Sequence, residues 1–326
     1  MKIAVYEMRP DENKRLKELK EQYKLELVTT GKPLSAETLE LAKGCQGISI
    51  LGYSSLNRAV LTELKNCGVR YISTRTIGYN HVDLSYAKEI GMRVCNSTYP
   101  PDGVAEFTVM LMLLALRHYK PAIWRQNVND YSLKGLIGKE LGSQTVGIIG
   151  TGKIGGAVIK ILSGFGCTLL AYNRQEKEEI KKYASYVSLA ELYREADIIS
   201  LHIPLSQQNH HLINSQAINQ MKPGVVLINT ARGELMDISS LTEGIENQKI
   251  GALGLDVFEN EDGIYHVDRK TDIIKNRDMV YLRQFPNVVM TQHMAFYTNA
   301  NIDSMITCSI EGLLAMAAGE IYKLEL

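Results

Sequence analysis

The stretch Thr145-Val146-Gly147-Ile148-Ile149-Gly150-Thr151-Gly152-Lys153-Ile154-Gly155 decides the fold. It begins as a short apolar run, the pattern of a buried parallel strand. It breaks into Gly150-x-Gly152-x-x-Gly155 and continues at helical spacing through Ala157, Ile161 and Leu162. Each glycine has its own reason. Gly150 permits a tight turn, Gly152 lets a diphosphate approach the backbone, and Gly155 lets the helix lie close to the strand. Thr151, Lys153 and Ile154 open the helix, where free N–H groups face the diphosphate. Such glycines also mark ordinary turns. The strand before, the helix after and a second strand over Thr168–Tyr172 turn the motif into a dinucleotide site.

Working outward, a second strand–helix series runs from residue 146, with strands at 146–149, 168–172, 198–202, 225–229, 252–256 and 288–291. Six strands with intervening helices complete a doubly wound dinucleotide domain. Upstream, residues 1–98 alternate in the same way, with strands at 3–6, 25–28, 47–51, 69–73 and 93–95. Helical stretches lie at 11–23, 36–43, 57–66 and 84–90. Pro100-Pro101-Asp102 stops this pattern; Asp102 is placed to cap a long apolar helix from Gly103 to about His118. That helix is apolar all round, so it must be buried. The segment 302–318 repeats Ile302, Met305, Ile306, Ile310, Leu313 and Leu314 at helical spacing. One helix is not a domain, so it packs on something already built. The expected fold class is α/β: two Rossmann-like or flavodoxin-like domains with doubly wound parallel sheets.

Composition narrows the function. The 326 residues are 45% hydrophobic, enough for real cores. Lys+Arg and Asp+Glu both total 36, so the chain has no net charge. That argues against a nucleic acid or an anionic membrane as the main partner. Cys45, Cys67, Cys95, Cys167 and Cys308 are scattered, with no Cys-x-x-Cys, which fits reduced thiols in a cytoplasmic protein. The N-terminus runs straight into a strand and has no signal-peptide pattern. His210-His211 and His266 lack a companion ligand pattern, so no metal is assigned; His81 and His118 read as structural or exposed.

Three residues follow the late strands: Arg232, Glu261 and His293. An Arg, an acid and a His at one sheet edge suit reduction of a 2-oxo acid. Arg232 offers a planar fork for a carboxylate. His293 can donate a proton to the carbonyl oxygen as hydride reaches the carbon. Glu261 can orient the imidazole, and its charge favours the protonated, donating form. Singly, each also reads as a cap, a loop acid or a core histidine; together at consecutive strand ends they read as a site.

The chain resembles the D-isomer-specific 2-hydroxyacid dehydrogenase family over its whole length. The resemblance rests on the glycine motif, Thr230-Ala231-Arg232-Gly233, Phe258-Glu259-Asn260-Glu261, and Gln292-His293-Met294-Ala295-Phe296-Tyr297. The run from Tyr71 to Asp83 and the long segment between Glu261 and Pro286 are similar to the D-lactate dehydrogenase branch, that of vancomycin-resistance operons in particular. The resemblance implies that Arg232, Glu261 and His293 are catalytic and that Asp256 binds the nicotinamide carboxamide. It implies that Ile77 and Gly78 meet the substrate carboxylate and that Tyr53, Tyr99 and Tyr297 line the substrate pocket. Pro204, Thr230 and Ala231 match cofactor positions, and His202, by its place at a strand end, is expected beside the cofactor cleft. It also implies a discontinuous catalytic domain, 1–98 with 299–326, around a dinucleotide domain, 99–298, and a homodimer formed through the latter.

Two departures stand out. Most members have Pro before the catalytic His; here it is Gln292. NAD-specific members end the second cofactor-domain strand with Asp, whereas this chain has Asn173 followed by Arg174. Losing the carboxylate removes repulsion towards a 2′-phosphate, and Arg174 can pair with it, so NADP is expected beside NAD. The expected reaction is NAD(P)H-dependent reduction of pyruvate to D-lactate. The alternatives are a larger-substrate member of the 2-hydroxyisocaproate or phenyllactate type, and a non-catalytic nicotinamide-sensing corepressor.

Overall fold

Both sheets of the computed structural model, which describes residues 1–326, are parallel throughout. The fold class is α/β, as the strand–helix alternation dictates. The chain divides into two units, Met1–Pro100 with Tyr297–Leu326, and Pro101–Phe296.

The first unit holds β1 (Lys2–Val5), β2 (Glu26–Thr29), β3 (Gly47–Ile50), β4 (Tyr71–Thr74) and β5 (Arg93–Cys95), in the order β2-β1-β3-β4-β5. This is the flavodoxin-like order. Strand β4 starts later than its apolar run, because Val69 N–H is still bonded to Leu64 O of the preceding helix. The helix expected at 36–43 is only a 3-10 turn, Leu39–Ala42. Thr38 explains this: its hydroxyl donates to Pro33 O and accepts from Ser35 N–H, offering the backbone an alternative to a helix. The helix Asn299–Ala317, capped by Thr298, buries Ile302, Ile306, Ile310, Leu313 and Met316 against Ile3, Val5, Leu16, Leu19 and Leu25.

Arg75, directly after β4, is the largest side chain wholly inside this unit. Its Nε donates to Glu12 Oε1 at 2.9 Å, Nη1 to Ser49 Oγ at 2.8 Å and Nη2 to Tyr6 O at 2.9 Å. Arg75 and Glu12 are each 1% exposed, so both charges rely on each other and on these bonds.

The second unit holds β6 (Thr145–Ile149), β7 (Thr168–Tyr172), β8 (Ser185–Tyr186), β9 (Ile198–Leu201), β10 (Val225–Asn229), β11 (Ile250–Leu255) and β12 (Val288–Met290). Their order is β12-β11-β10-β9-β6-β7-β8, so the chain reverses direction across the sheet between β6 and β9. That is the switch point where open α/β sheets bind ligands. Strand β8 goes beyond the six expected; two residues carry no readable periodicity. Successive strand residues serve opposite faces. Ile149, Ile199, Leu201, Leu227 and Leu253 enter one core, and Val146, Ile148, Ile198, Val226 and Ile228 the other. The apolar helix Asp102–Leu116 is buried in the second core, against Val158 and Leu162. Asp102 is not its cap. Pro101 already has helical angles (φ −72°, ψ −14°) and takes the cap position, so Asp102 enters the first turn, where its charge suits the helix dipole.

Arg75→Leu should strip the buried Glu12 of its nearer guanidinium, leaving only Arg9 Nη2 at 3.8 Å, and cost about 3–5 kcal/mol. Removing both charges, in Arg75→Leu with Glu12→Leu, should restore much of that. Urea unfolding of the two variants beside the parent checks both statements.

Candidate active site

The glycine loop leaves β6 with Gly150 at φ +98°, a left-handed conformation. A Cβ there would lie 2.5 Å from His202 O, so the turn needs glycine for space as well as for angle. A Cβ on Gly155 would come within 1.9 Å of Gly150 O, the close strand–helix approach that its position demands. At Gly152 a Cβ would meet nothing within 4 Å. Gly152 is the N-cap of the helix Lys153–Ser163, and no side chain caps that end. Free N–H groups facing open space are the chemistry that a diphosphate could use. Thr151 is buried, and its hydroxyl lies 2.8 Å from Tyr186 OH. Tyr186 OH also accepts from Lys177 N–H at 3.1 Å.

Beyond β7, Asn173 Nδ2 donates to Gln175 O at 2.6 Å, while Arg174 is exposed and pairs with nothing in the chain. The His202 ring lies 2.9 Å from Ser200 Oγ, and desolvation pushes its pKa down to about 3, so it is neutral. Pro204 is exposed in the loop after it. Thr230 Oγ1 lies 3.0 Å from Thr108 Oγ1, and Ala231 N–H donates to Asn229 Oδ1 at 2.9 Å.

Arg232, Glu261 and His293 follow β10, β11 and β12, three neighbours in the sheet. Gly233 lets the Arg232 turn lie against the β11 loop: a Cβ there would be 2.2 Å from the Phe258 carbonyl carbon and 2.3 Å from Glu259 N. Arg232 is half-buried, with Nη1 donating to Ala231 O at 2.6 Å. Glu261 is fixed by Phe258 N–H, which donates to its Oε2 at 2.7 Å. Its other oxygen pairs with His293 Nδ1. The imidazole is therefore anchored on one nitrogen, and Nε2 has no hydrogen bond within the chain.

His293 is itself left-handed, at φ +52°. Asp256 holds it there. Asp256 O accepts from His293 N–H at 2.7 Å. Its carboxylate accepts from Thr291 Oγ1 at 2.6 Å and from the N–H groups of Met294 and Ala295 at 2.9 and 2.8 Å. Asp256 is fully buried among these donors. In this structure it positions the His293 turn. Gln292, where a proline is usual, is exposed and takes no part in these bonds.

The chain matches known proteins. The model of the D-isomer-specific 2-hydroxyacid dehydrogenase NAD-binding domain fits residues 109–295. The D-lactate dehydrogenase of Escherichia coli is 39% identical over 328 residues, 100% of each chain. The chain belongs to the D-isomer-specific 2-hydroxyacid dehydrogenase family. An aromatic 2-oxoacid reductase of Clostridium sporogenes is 42% identical over 315 residues, 96% of this chain and 95% of the relative. The solved apo-structure of the Escherichia coli D-lactate dehydrogenase superposes over 100% of both chains with TM-score 0.89 at 38% identity. The protein is accordingly an NAD-dependent D-2-hydroxyacid dehydrogenase.

In the first unit of the dehydrogenase, Ile77 O accepts from Asn96 Nδ2 at 2.8 Å and Gly78 O from Thr76 Oγ1 at 2.6 Å. These bonds shape the loop after Arg75. Tyr53 is exposed in a turn whose neighbours, Leu51 N–H, Gly52 N–H and Ser54 Oγ, all donate to the buried Glu7 carboxylate. Tyr99 is half-buried. Tyr297 is exposed, and the Arg9 guanidinium lies 5.3 Å above its ring centre.

Several neighbours escape sequence reading. Tyr186 sits on the unread strand. His266, whose Nε2 lies 3.0 Å from His293 O, is 27 residues from it in the chain. The buried Tyr265 hydroxyl has no partner, and burial together with the Glu261 and Asp256 charges pushes its pKa well above the usual phenol range. No helix is long and apolar enough to cross a membrane.

Two substitutions separate the roles of the glycines. Gly152→Ala should fold with the parent's thermal midpoint yet bind NADH roughly tenfold or more weakly, a loss of about 1.4 kcal/mol. Gly155→Ala should itself be less stable, since overpacking typically costs about 1–3 kcal/mol. Thermal unfolding and NADH fluorescence titration of both variants decide the point.

Proposed function

We propose that the dehydrogenase reduces a 2-oxo acid, pyruvate foremost, to the D-2-hydroxy acid. The observation that carries this reading is the Glu261–His293 pair, with Nδ1 anchored and Nε2 available. Arg232 binds the substrate carboxylate through its fork. Reduced nicotinamide, when bound, supplies the hydride. His293 Nε2 delivers the proton to the nascent alkoxide, and Glu261 stabilises the imidazolium and then the neutral ring's orientation. From the first unit, Ile77, Gly78, Tyr53, Tyr99 and Tyr297 are the residues proposed to contact the substrate, the first two through their backbone.

A second reading has a specific observation behind it. The Clostridium sporogenes relative is an aromatic 2-oxoacid reductase, and three tyrosines suit a flat, apolar side chain as readily as a methyl group. A phenylpyruvate-type substrate is therefore the alternative.

For the cofactor, we propose that NADPH is accepted beside NADH. Asn173 carries no charge to repel a 2′-phosphate, and Arg174 is exposed without a competing partner. Lys177 adds weaker, solvent-screened attraction. Two copies of the chain are proposed to pair through the second unit, where Val128, Tyr131, Leu133 and Ile137 are 73–89% exposed.

His293→Ala should lower the reduction rate by about a hundred- to ten-thousand-fold while NADH binding persists. Near-parental turnover would remove His293 from the mechanism. Glu261→Gln should lower kcat while NADH binding persists, because the neutral amide no longer holds the Nδ1 side of the ring as a carboxylate does; a parental kcat would refute its role.

A steady-state screen of pyruvate, 2-oxoisocaproate and phenylpyruvate with both reduced cofactors tests specificity. Pyruvate should give the highest kcat/KM; a clear lead for phenylpyruvate selects the second reading. NADPH should serve at least as well as NADH. Asn173→Asp and Arg174→Ala should each lower the NADPH/NADH ratio, by roughly tenfold for about 1.4 kcal/mol. A parent that strongly prefers NADH, with a ratio indifferent to Arg174, would overturn the cofactor proposal.

A further inference from the structure

Two adjacent histidines in extended chain point to opposite sides. His210 and His211 do not. His211 takes φ +53°, and the two rings lie with centroids 3.9 Å apart and planes 32° from parallel. The turn is anchored by His211 N–H donating to Glu234 O at 2.8 Å. Glu259, 48 residues further on, brings Oε2 to 3.0 Å from His211 Nε2. The sequence offers these histidines no companion ligand; the fold provides one from the loop after β11.

We propose that His210, His211 and Glu259 form a zinc-binding site on the second unit, separate from the Glu261–His293 pair. One ligand atom from each residue lies within 4.8 Å of the others. A tetrahedral zinc with ligand bonds of about 2.0–2.2 Å brings such atoms closer, to about 3.5 Å. His210 is exposed, so its ring can turn to close that difference. Two imidazoles and a carboxylate are a regular zinc donor set, leaving a fourth position for water. The surroundings also fit. Asp237 Oδ1 lies 4.0 Å from His211 Nδ1, on the side of the ring away from Glu259. A metal-bound histidine commonly turns its other N–H to a carboxylate. Asp237 is itself held in place, with Oδ2 accepting from Ser240 N–H at 3.1 Å. Without the ion, a proton on His211 Nε2 bridges to Glu259; with it, zinc takes that place and the proton moves to Nδ1, facing Asp237. The ion would tie the His210–His211 turn to the loop that carries Glu261.

The test is isothermal titration of the chelator-stripped full chain with zinc chloride, paired with thermal unfolding. The parent should bind one zinc per chain and unfold at higher temperature when loaded. His210→Gln, at an exposed position, should keep the zinc-free unfolding temperature yet bind at least roughly tenfold more weakly, a loss of about 1.4 kcal/mol. Glu259→Gln should weaken binding similarly, and Asp237→Asn by about ten- to a hundredfold. His293→Gln should leave the zinc affinity unchanged. A parent without stoichiometric binding, or a site indifferent to His210→Gln, overturns the proposal and leaves an ordinary His211–Glu259 hydrogen bond.

Discussion

A buried carboxylate organises the edge of the second sheet. Asp256 has no solvent exposure and no cation beside its oxygens; one hydroxyl and two backbone N–H groups balance its charge instead. Such an arrangement is costly to disturb, because a carboxylate out of water must keep its hydrogen bonds. The cost works in favour of a single geometry. It forces residues 291–295 into one turn, holds His293 left-handed, and so aims Nδ1 at Glu261. A proline before the histidine would restrict the same turn from within; here the restriction comes from across the loop, and Gln292 is left exposed.

The first unit uses charge in a comparable way. Arg75 follows its strand as Asp256 follows β11, and it too is buried with every contact directed inward. In both places a charged residue at the carboxyl end of a parallel strand fixes the loop that comes next. Loops there carry function because the strands below are rigid. Buried charges add directional bonds that apolar packing does not supply.

Much of this was legible in the residues. Apolar runs and helical spacing marked the two series of strands, and the glycine motif, Arg232, Glu261 and His293 could be picked out by residue type after predicted strand ends. What stayed hidden has physical causes. Strand β8 is too short for a pattern. The turn at 35–38 is decided by Thr38 hydroxyl bonds that compete with a helix. Asp102 looked like a cap because the helical angles of Pro101 are not written in its identity. The meeting of His211 with Glu259, and of His266 with His293, depends on long loops whose path no local spacing encodes. That Asp256 also holds the His293 turn is shown only by the donors the fold brings to it from residues 291–295.

The chain's path between the units bears on how it is made. Residues 101–296 are contiguous, so the second unit's whole sheet can leave the ribosome and fold as synthesis proceeds. The first unit cannot be completed then. Ile3, Val5 and Leu16 share a core with Ile302, Ile306 and Ile310, and Arg93 pairs with Glu325. Until those residues are made, one face of the N-terminal sheet is covered only by Leu16 and Leu19 of the helix Asn13–Tyr23. The core of the discontinuous first unit is therefore completed only after the strands of the second unit have been made.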